Sequence, residues 1–228
     1  MKVKYGALIV DGRGKLGGHV ASKNKGGSYL RTKVTPGNPQ SVDQQIVRNQ
    51  FTASSQAWKG LTAAQRLAWN SAVSNFVGTD IFGDSKTLSG FQLFVKINNY
   101  IRFIGETPIA VPPLPASVPA FLTFSVAAGV GAGTIVCAFT GVIAATEKVI
   151  LSATAPQSAG KSFVKSEYRK IAILTTADVT TDDWAAQYAA KFGAFPAEGT
   201  KIFFKMQQIT IANGLPGAVI SCSTIVVA

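Results

Sequence analysis

Apolar positions between residues 36 and 105 recur at helical spacing in three stripes. The first is Val47, Phe51, Ser54/Ser55 and Trp58. The second is Trp69, Val73 and Phe76, and the third is Leu93, Phe94, Ile97, Tyr100, Ile101 and Ile104. Each stripe is introduced by a hydroxyl residue with glutamine three positions later: Ser41 with Gln44, Thr62 with Gln65, and Ser89 with Gln92. In such a box the hydroxyl accepts an amide that the helix leaves orphaned, and the glutamine side chain reaches back to the cap. Gly60, Gly78 and Gly105 follow the stripes as stop signals. Start, stripe and stop agree three times, which predicts three amphipathic helices.

Beyond residue 120 the period shortens to two. The predicted strands are Phe121–Ala127, Thr134–Thr140, Lys148–Thr154, Ser162–Leu174, Lys201–Ala212 and Gly217–Val227. The glycine-containing run from Asn213 to Gly217 predicts the turn joining the last two. One helix interrupts the series, with a box from Thr180 to Asp183, a body from Trp184 to Phe192, and Gly193 as its stop. Strand number and spacing fit an immunoglobulin-like or fibronectin-type sandwich. The segment 1–36 reads as strands at Ala7–Val10 and Ser28–Val34 with glycine turns, Asp11-Gly12 among them. The expected fold is therefore α+β. A β-arm with a three-helix module (1–105) precedes a proline-rich linker (106–119) and a C-terminal Ig/fibronectin-like sandwich (120–228).

Charge changes the picture most at the N-terminus. The 228 residues carry 22 Lys and Arg against 11 Asp and Glu. Residues 1–104 hold 14 of the basic and 4 of the acidic ones, and residues 105–228 hold 8 and 7. Within 1–34, Lys2, Lys4, Arg13, Lys15, Lys23, Lys25, Arg31 and Lys33 face Asp11 alone. A basic arm with interleaved glycines attracts polyanions or an acidic protein surface. Residues 107–146 carry no charge, but Pro112, Pro113, Pro115 and Pro119 and the glycines at 129, 131 and 133 break any helix there. Two strands around a turn are expected, with no membrane partner.

Candidate chemistry is sparse. Gly12, Gly14 and Gly17 match G-x-G-x-x-G, yet no helix opener follows and no acidic residue stands about 20 positions on. His19 is the one histidine, with no nucleophile placed around it by sequence. Asp80 and Asp84 read as turn residues, Asp182 and Asp183 as helix-start charges. Cys137 and Cys222 read as small apolar thiols in strands, with a disulfide open but not implied by spacing. No catalytic group, metal or cofactor is expected, and no enzyme. The candidate interaction arm is Arg13, Lys15, Lys23, Lys25, Arg31 and Lys33. Trp58 and Trp69 are expected in the core of a helix pair or as interface anchors.

Several runs together resemble a module of tailed-bacteriophage proteins. They are Gly14–Gly18, Asn24–Gly27, Tyr29–Arg31, Asn38-Pro39, Gln45, Arg48 and Phe51, then W-x-x-L-T from Trp58 to Thr62, Gln65-Arg66 and Ala68–Asn70. Ile81–Asp84, Leu88–Phe91 and Leu93-Phe94 continue the pattern, so the resemblance covers about residues 12–100. It implies a virion structural protein with a basic glycine arm, a helix pair and a β domain behind. The implied partners are copies of itself and other virion proteins of capsid, portal vertex or tail, in a particle assembled in the host cytoplasm. The alternative is a nucleic-acid-binding protein using residues 1–34 on the phosphate backbone of DNA.

Overall fold

Capping chemistry sets where the helices begin. The computed structural model describes all residues except 7, 8, 10, 25, 120 and 179–181. In it α1 (Val42–Gly60), α2 (Ala63–Ala72) and α3 (Gly90–Phe103) start after Ser41, Thr62 and Ser89. The Thr62 and Ser89 boxes are complete, with Gln65 and Gln92 each accepting the cap amide at 2.9 Å. The Ser41 box is half formed: Ser41 accepts the Gln44 amide at 3.4 Å, while Gln44 Oε1 is buried without a partner. Gly60 is not a cap, because α1 runs through it and ends at Leu61 in an extended conformation. Beyond α2 the chain makes a 3-10 turn at Val73–Phe76. Gly105 takes the left-handed φ of +80° that a glycine stop uses, whereas Gly60 and Gly78 do not.

α3 lies at the centre of the helical unit. Leu93, Phe94, Ile97 and Ile101 are buried in it. Trp58 of α1 and Trp69 of α2 both meet the Phe94 ring, at 5.4 and 5.2 Å between centroids. Trp69 is fully buried and donates its indole N–H to the Ala110 carbonyl at 2.8 Å. Asn98, also fully buried, accepts the Ile109 amide at 2.7 Å and donates to the Ile109 carbonyl at 3.2 Å. The start of the proline-rich segment is thereby stapled to α3.

The first stripe departs from expectation. Ser54 is buried and Trp58 half-buried, but Val47 and Phe51 are 59% and 52% exposed. Both lie alongside α3, since Ser54 meets Asn99 and Val47 lines one cleft with Tyr100 and Phe103, so they are exposed because the two helices part at this end. The first turn of α1 is held by Asp43, whose carboxylate receives Lys191 Nζ at 2.9 Å from the C-terminal half.

The C-terminal half pairs its strands as three hairpins. They are β6 (Phe124–Gly129) with β7 (Thr134–Phe139), β8 (Glu147–Ala153) with β9 (Arg169–Leu174), and β10 (Lys201–Thr210) with β11 (Pro216–Ile225). The last two join in one antiparallel sheet ordered β11-β10-β8-β9, opposite the β6-β7 ribbon. Between them lies a core that includes Ile135, Cys137, Leu151, Leu174, Ile202, Phe204 and Met206. Tyr188 of α4 (Ala185–Phe192) joins it and donates to the Thr154 carbonyl at 2.9 Å. Gly193 ends α4 with a left-handed φ of +91°. Of the box expected before α4, Thr180 and Thr181 lie outside the described residues. The N-cap is instead Trp184, which makes no side-chain cap bond; Asp183, one residue earlier, accepts the Ala185 amide at 3.0 Å. The uncharged stretch supplies β6 and β7, and no helix among the described residues is long and apolar enough to cross a membrane.

The sheet is covered on both sides, which explains the nearly continuous apolar run at its centre. Ile202, Phe204 and Met206 face the ribbon, while Ile150 and Ile209 pack with Ile104, Tyr100 and Phe103 at the end of α3. Lys148 of β8 donates to the Ile104 carbonyl at 3.2 Å and meets Glu106 at 2.6 Å, so it neutralises the helix C-terminus. Gly214, in the β10–β11 turn at φ +58°, presses against α3: a Cβ there would stand 2.7 Å from Ile101 Cγ1 and 2.9 Å from the Ile97 carbonyl.

The N-terminal segment forms its own antiparallel sheet of β1 (Gly14–Leu16), β2 (His19–Asn24) and β3 (Gly27–Thr32). The expected strand at Ala7–Val10 lies outside the described residues apart from Ile9. The β1–β2 turn falls at Gly17-Gly18, not at Asp11-Gly12. A small hairpin of β4 (Gly78–Thr79) and β5 (Ser85–Lys86) joins α2 to α3. The chain is thus α+β, with several antiparallel sheets and, among the described residues, four α-helices.

Two outcomes test this packing. Gly214→Ala must lower unfolding free energy by about 2–4 kcal/mol, combining overpacking with left-handed strain. Urea denaturation measures it, and an unchanged midpoint would mean that turn and helix do not touch. Cys137 and Cys222 are free thiols. Burial raises both, Cys222 from 9.0 to about 12. Neither should react with a thiol reagent at pH 8 until urea is added. Their neutral form stabilises the fold fully below pH 9.0, and that contribution declines as pH rises from there.

Candidate functional site

The basic arm becomes a sheet because its strands pair with one another, not because they bury a face. Among the described residues nothing before Ser54 is buried. The sheet is joined to α1 by residues 33–41, all exposed, which include Pro36 and Pro39. The strap meets α1 where Arg48 donates to Asn38 at 2.9 Å.

Register decides which cations share a face. Lys15 stands opposite Val20, and Val20 opposite Arg31. Side chains directly opposite in adjacent strands project to the same side, so Lys15 and Arg31 flank Val20 on one face. Lys33 continues β3, its amide donating to the Gly18 carbonyl at 2.8 Å. Lys15, Arg31 and Lys33 are exposed and have no ion pair among the described residues. Arg13 and Lys23 converge instead on Asp11, at 3.3 and 3.9 Å. Lys25 lies outside the described residues.

The first residues turn inward. Lys2 pairs with Tyr29 of β3, and the Val3 amide donates to the Ser28 carbonyl at 3.0 Å. This line of backbone brings Lys2 Nζ to Asp80 Oδ2 at 3.0 Å and Lys4 Nζ to Asp84 at 2.6 Å, with Lys4 also 5.2 Å above the Phe82 ring. Asp80 serves twice. Its Oδ1 accepts the Phe82 and Asp84 amides at 2.8 and 3.2 Å, which makes the turn, and its Oδ2 receives the arm. Lys2 and then the Phe82 amide hold its carboxyl below the ordinary value of 3.8. The turn role was readable from sequence; the docking role was not, because Lys2 and Asp80 are 78 positions apart.

The G-x-G-x-x-G run lies across β1 and its turn and leads into β2, so it lacks the helix that a dinucleotide site needs. His19 is exposed at the end of β2, opposite Leu16 and Thr32. Asp183 accepts the Ile135 amide at 2.7 Å besides that of Ala185 at the start of α4. Trp58 and Trp69 sit against Phe94, and α1 and α2 each pack on α3. Among the described residues no three His, Cys, Asp or Glu side chains are grouped to hold a metal ion.

What the arm offers is unpaired positive charge on one face and an outer β1 edge with no partner among the described residues. An open edge of this kind is a template for another strand. No protein-family model matches the chain, and neither a curated protein nor a solved structure matches it.

The Lys2–Asp80 contact makes a direct prediction. Asp80→Asn should raise amide exchange at Val3 a few-fold at pH 7, the scale of an exposed ion pair, as read by hydrogen–deuterium exchange; protection equal to the parent would show that the pair does not hold the arm. Because the carboxyl is lowered, the contact is complete above pH 3.8 and is lost as pH falls through the depressed value.

Proposed function

We propose that this chain is a non-enzymatic structural and assembly subunit of a bacteriophage particle. It docks through β1–β3 on neighbouring capsid, portal-vertex or tail subunits. The observation that carries the reading is a sheet without a core. It hangs from an exposed strap, shows Lys15 and Arg31 on one face, and leaves the β1 edge open. Beyond the backbone of Lys2 and Val3 on β3 and the Lys2 and Lys4 pairs to the β4–β5 hairpin, further apolar contact and a partner for the β1 edge would come from a second molecule. The module resemblance over residues 12–100 supplies the virion context, with self-copies and other virion proteins as partners and the host cytoplasm as the place of assembly.

The C-terminal unit fits the immunoglobulin/fibronectin-like reading in its strand order. With β6 and β7 as the first two strands, β11-β10-β8-β9 corresponds to the second sheet of such a sandwich. A further strand would be expected beside β7. Its place is marked by the antiparallel bridge of Asp183 to Val136, after which the chain enters α4. We assign this unit to lateral or outward contacts.

DNA binding by residues 1–34 is the second reading, and it rests on the same cations. It is weakened by the use of Lys2 and Lys4 on the chain's own carboxylates, and by the half-burial of Tyr5 and Tyr29. Deletion of residues 1–34 separates the two. Mass spectrometry of purified particles is expected to show copies of the deleted protein reduced at least about tenfold, an affinity loss of about 1.4 kcal/mol. Normal incorporation, together with loss of a DNA mobility shift that weakens steeply between about 50 and about 200 mM salt, would overturn the docking reading in favour of DNA.

A further inference from the structure

Where α1 parts from α3, a cleft of about 520 Å³ opens between α1, α3 and the outer face of the four-stranded sheet. Its floor is set by register. Ser152 of β8 stands between Lys170 of β9 and Lys205 of β10. Side chains directly opposite point to one face, so two lysines flank a small hydroxyl, their backbones about 9–10 Å apart across two strand spacings. Lys96 of α3 lines the same cleft. Among the described residues no carboxylate does. The carboxylate that acts on Lys170, that of Asp43, is paired with Lys191 at 2.9 Å.

The lysines are positioned and not merely near. Lys170 Nζ sits 4.2 Å from the centre of the Phe103 ring and 3.4 Å from the Phe103 carbonyl. Lys205 Nζ sits 5.1 Å from the centre of the Tyr168 ring. Burial, and then the Lys191 ammonium, lower the pKa of Lys170, so its positive form is held at a cost that an incoming anion relieves. Ile150 and Val47 add apolar surface to the cleft, and the side-chain amides of Gln50 and Gln207, the latter donating also to the Gly217 carbonyl at 3.3 Å, line it.

We propose that this cleft binds an acidic segment of a partner protein in extended form, with carboxylates on Lys170, Lys205 and Lys96, an apolar side chain between them, and backbone hydrogen bonds to the bordering amides. Each kind of group in such a peptide meets its complement. Nucleic acid fits less well: each of the Phe103 and Tyr168 rings already carries a lysine, which leaves less face for a base to stack on. This site is separate from the N-terminal sheet and is read by different variants.

The test uses the full chain and a fluorescein-labelled octapeptide of alternating glutamate and leucine, followed by anisotropy. Saturable binding is expected, weakened at least about tenfold by Lys170→Met with Lys205→Met. Lys15→Met with Arg31→Met in the arm should leave it unchanged. Lys96→Glu, at an exposed helix position, must weaken it too, and reports on the cleft even if the sheet variants fold poorly. No saturation by about 1 mM peptide, equal binding of a glutamine–leucine control, or loss of binding in the arm variant alone would each overturn the proposal. Displacement by an eight-nucleotide oligothymidine at lower concentration than by unlabelled peptide would also overturn it, by showing a general polyanion site.

Discussion

The burial of α3 between two helices and a sheet is the constraint from which the rest of the molecule follows. A helix enclosed in this way must be apolar on most sides, and Leu93, Phe94, Ile97 and Ile101 meet that need. Each such side chain contributes about 1.5–3 kcal/mol when removed from water. Most of the polar groups enclosed with them find partners, Arg102 Nε being an exception. Asn98 does so by holding Ile109, and the carbonyls of Phe103 and Ile104 do so by accepting from Lys170 and Lys148. The C-terminal half thus supplies both the apolar lid of α3 and the cations for its negative end.

That arrangement leaves two regions unsatisfied, and both are positive. The N-terminal sheet has pairing without burial, and spends Lys2 and Lys4 on a neighbouring hairpin while Lys15, Arg31 and Lys33 face solvent. The parting of α1 from α3 leaves an apolar cleft in which lysines lie close to one another without acids among the described residues. The net charge of +11 is therefore not a diffuse surface property. A large part of it is concentrated where the chain's own packing is incomplete, which is where another molecule gains most by binding.

The features visible in the sequence were those decided within a few residues. Caps at Ser41, Thr62 and Ser89, the stripe of the third helix, the left-handed stop at Gly105 and six C-terminal strands all depend on local chemistry. The strand expected over Ser162–Leu174, however, begins only at Arg169, and Val73 and Phe76 of the second stripe fall in a 3-10 turn beyond α2. What was not legible depends on distance in the chain. Val47 and Phe51 sit on a proper amphipathic stripe, but whether the stripe is covered depends on how α1 meets α3 and the sheet, which are distant in the chain. The strand His19–Asn24 has little alternation and exists because both neighbours pair with it. Asn98 looks like a neutral helix residue until Ile109 returns to it. Lys96, Lys170 and Lys205 are spread over more than 100 positions, and only the register through Ser152 brings the last two side by side.

The contact at Gly214 bears on how such a protein can change over evolutionary time. Ile97, Ile101 and the bend that touches them form a lock whose two parts lie far apart in the gene. A recombination event that replaced the C-terminal half would have to import a bend of matching shape, or else loosen the ridge on the helix. The two halves are therefore bound to a common history at that point, while the exposed N-terminal sheet, attached by its strap and by Lys2 and Lys4 on the β4–β5 hairpin, lies outside that lock.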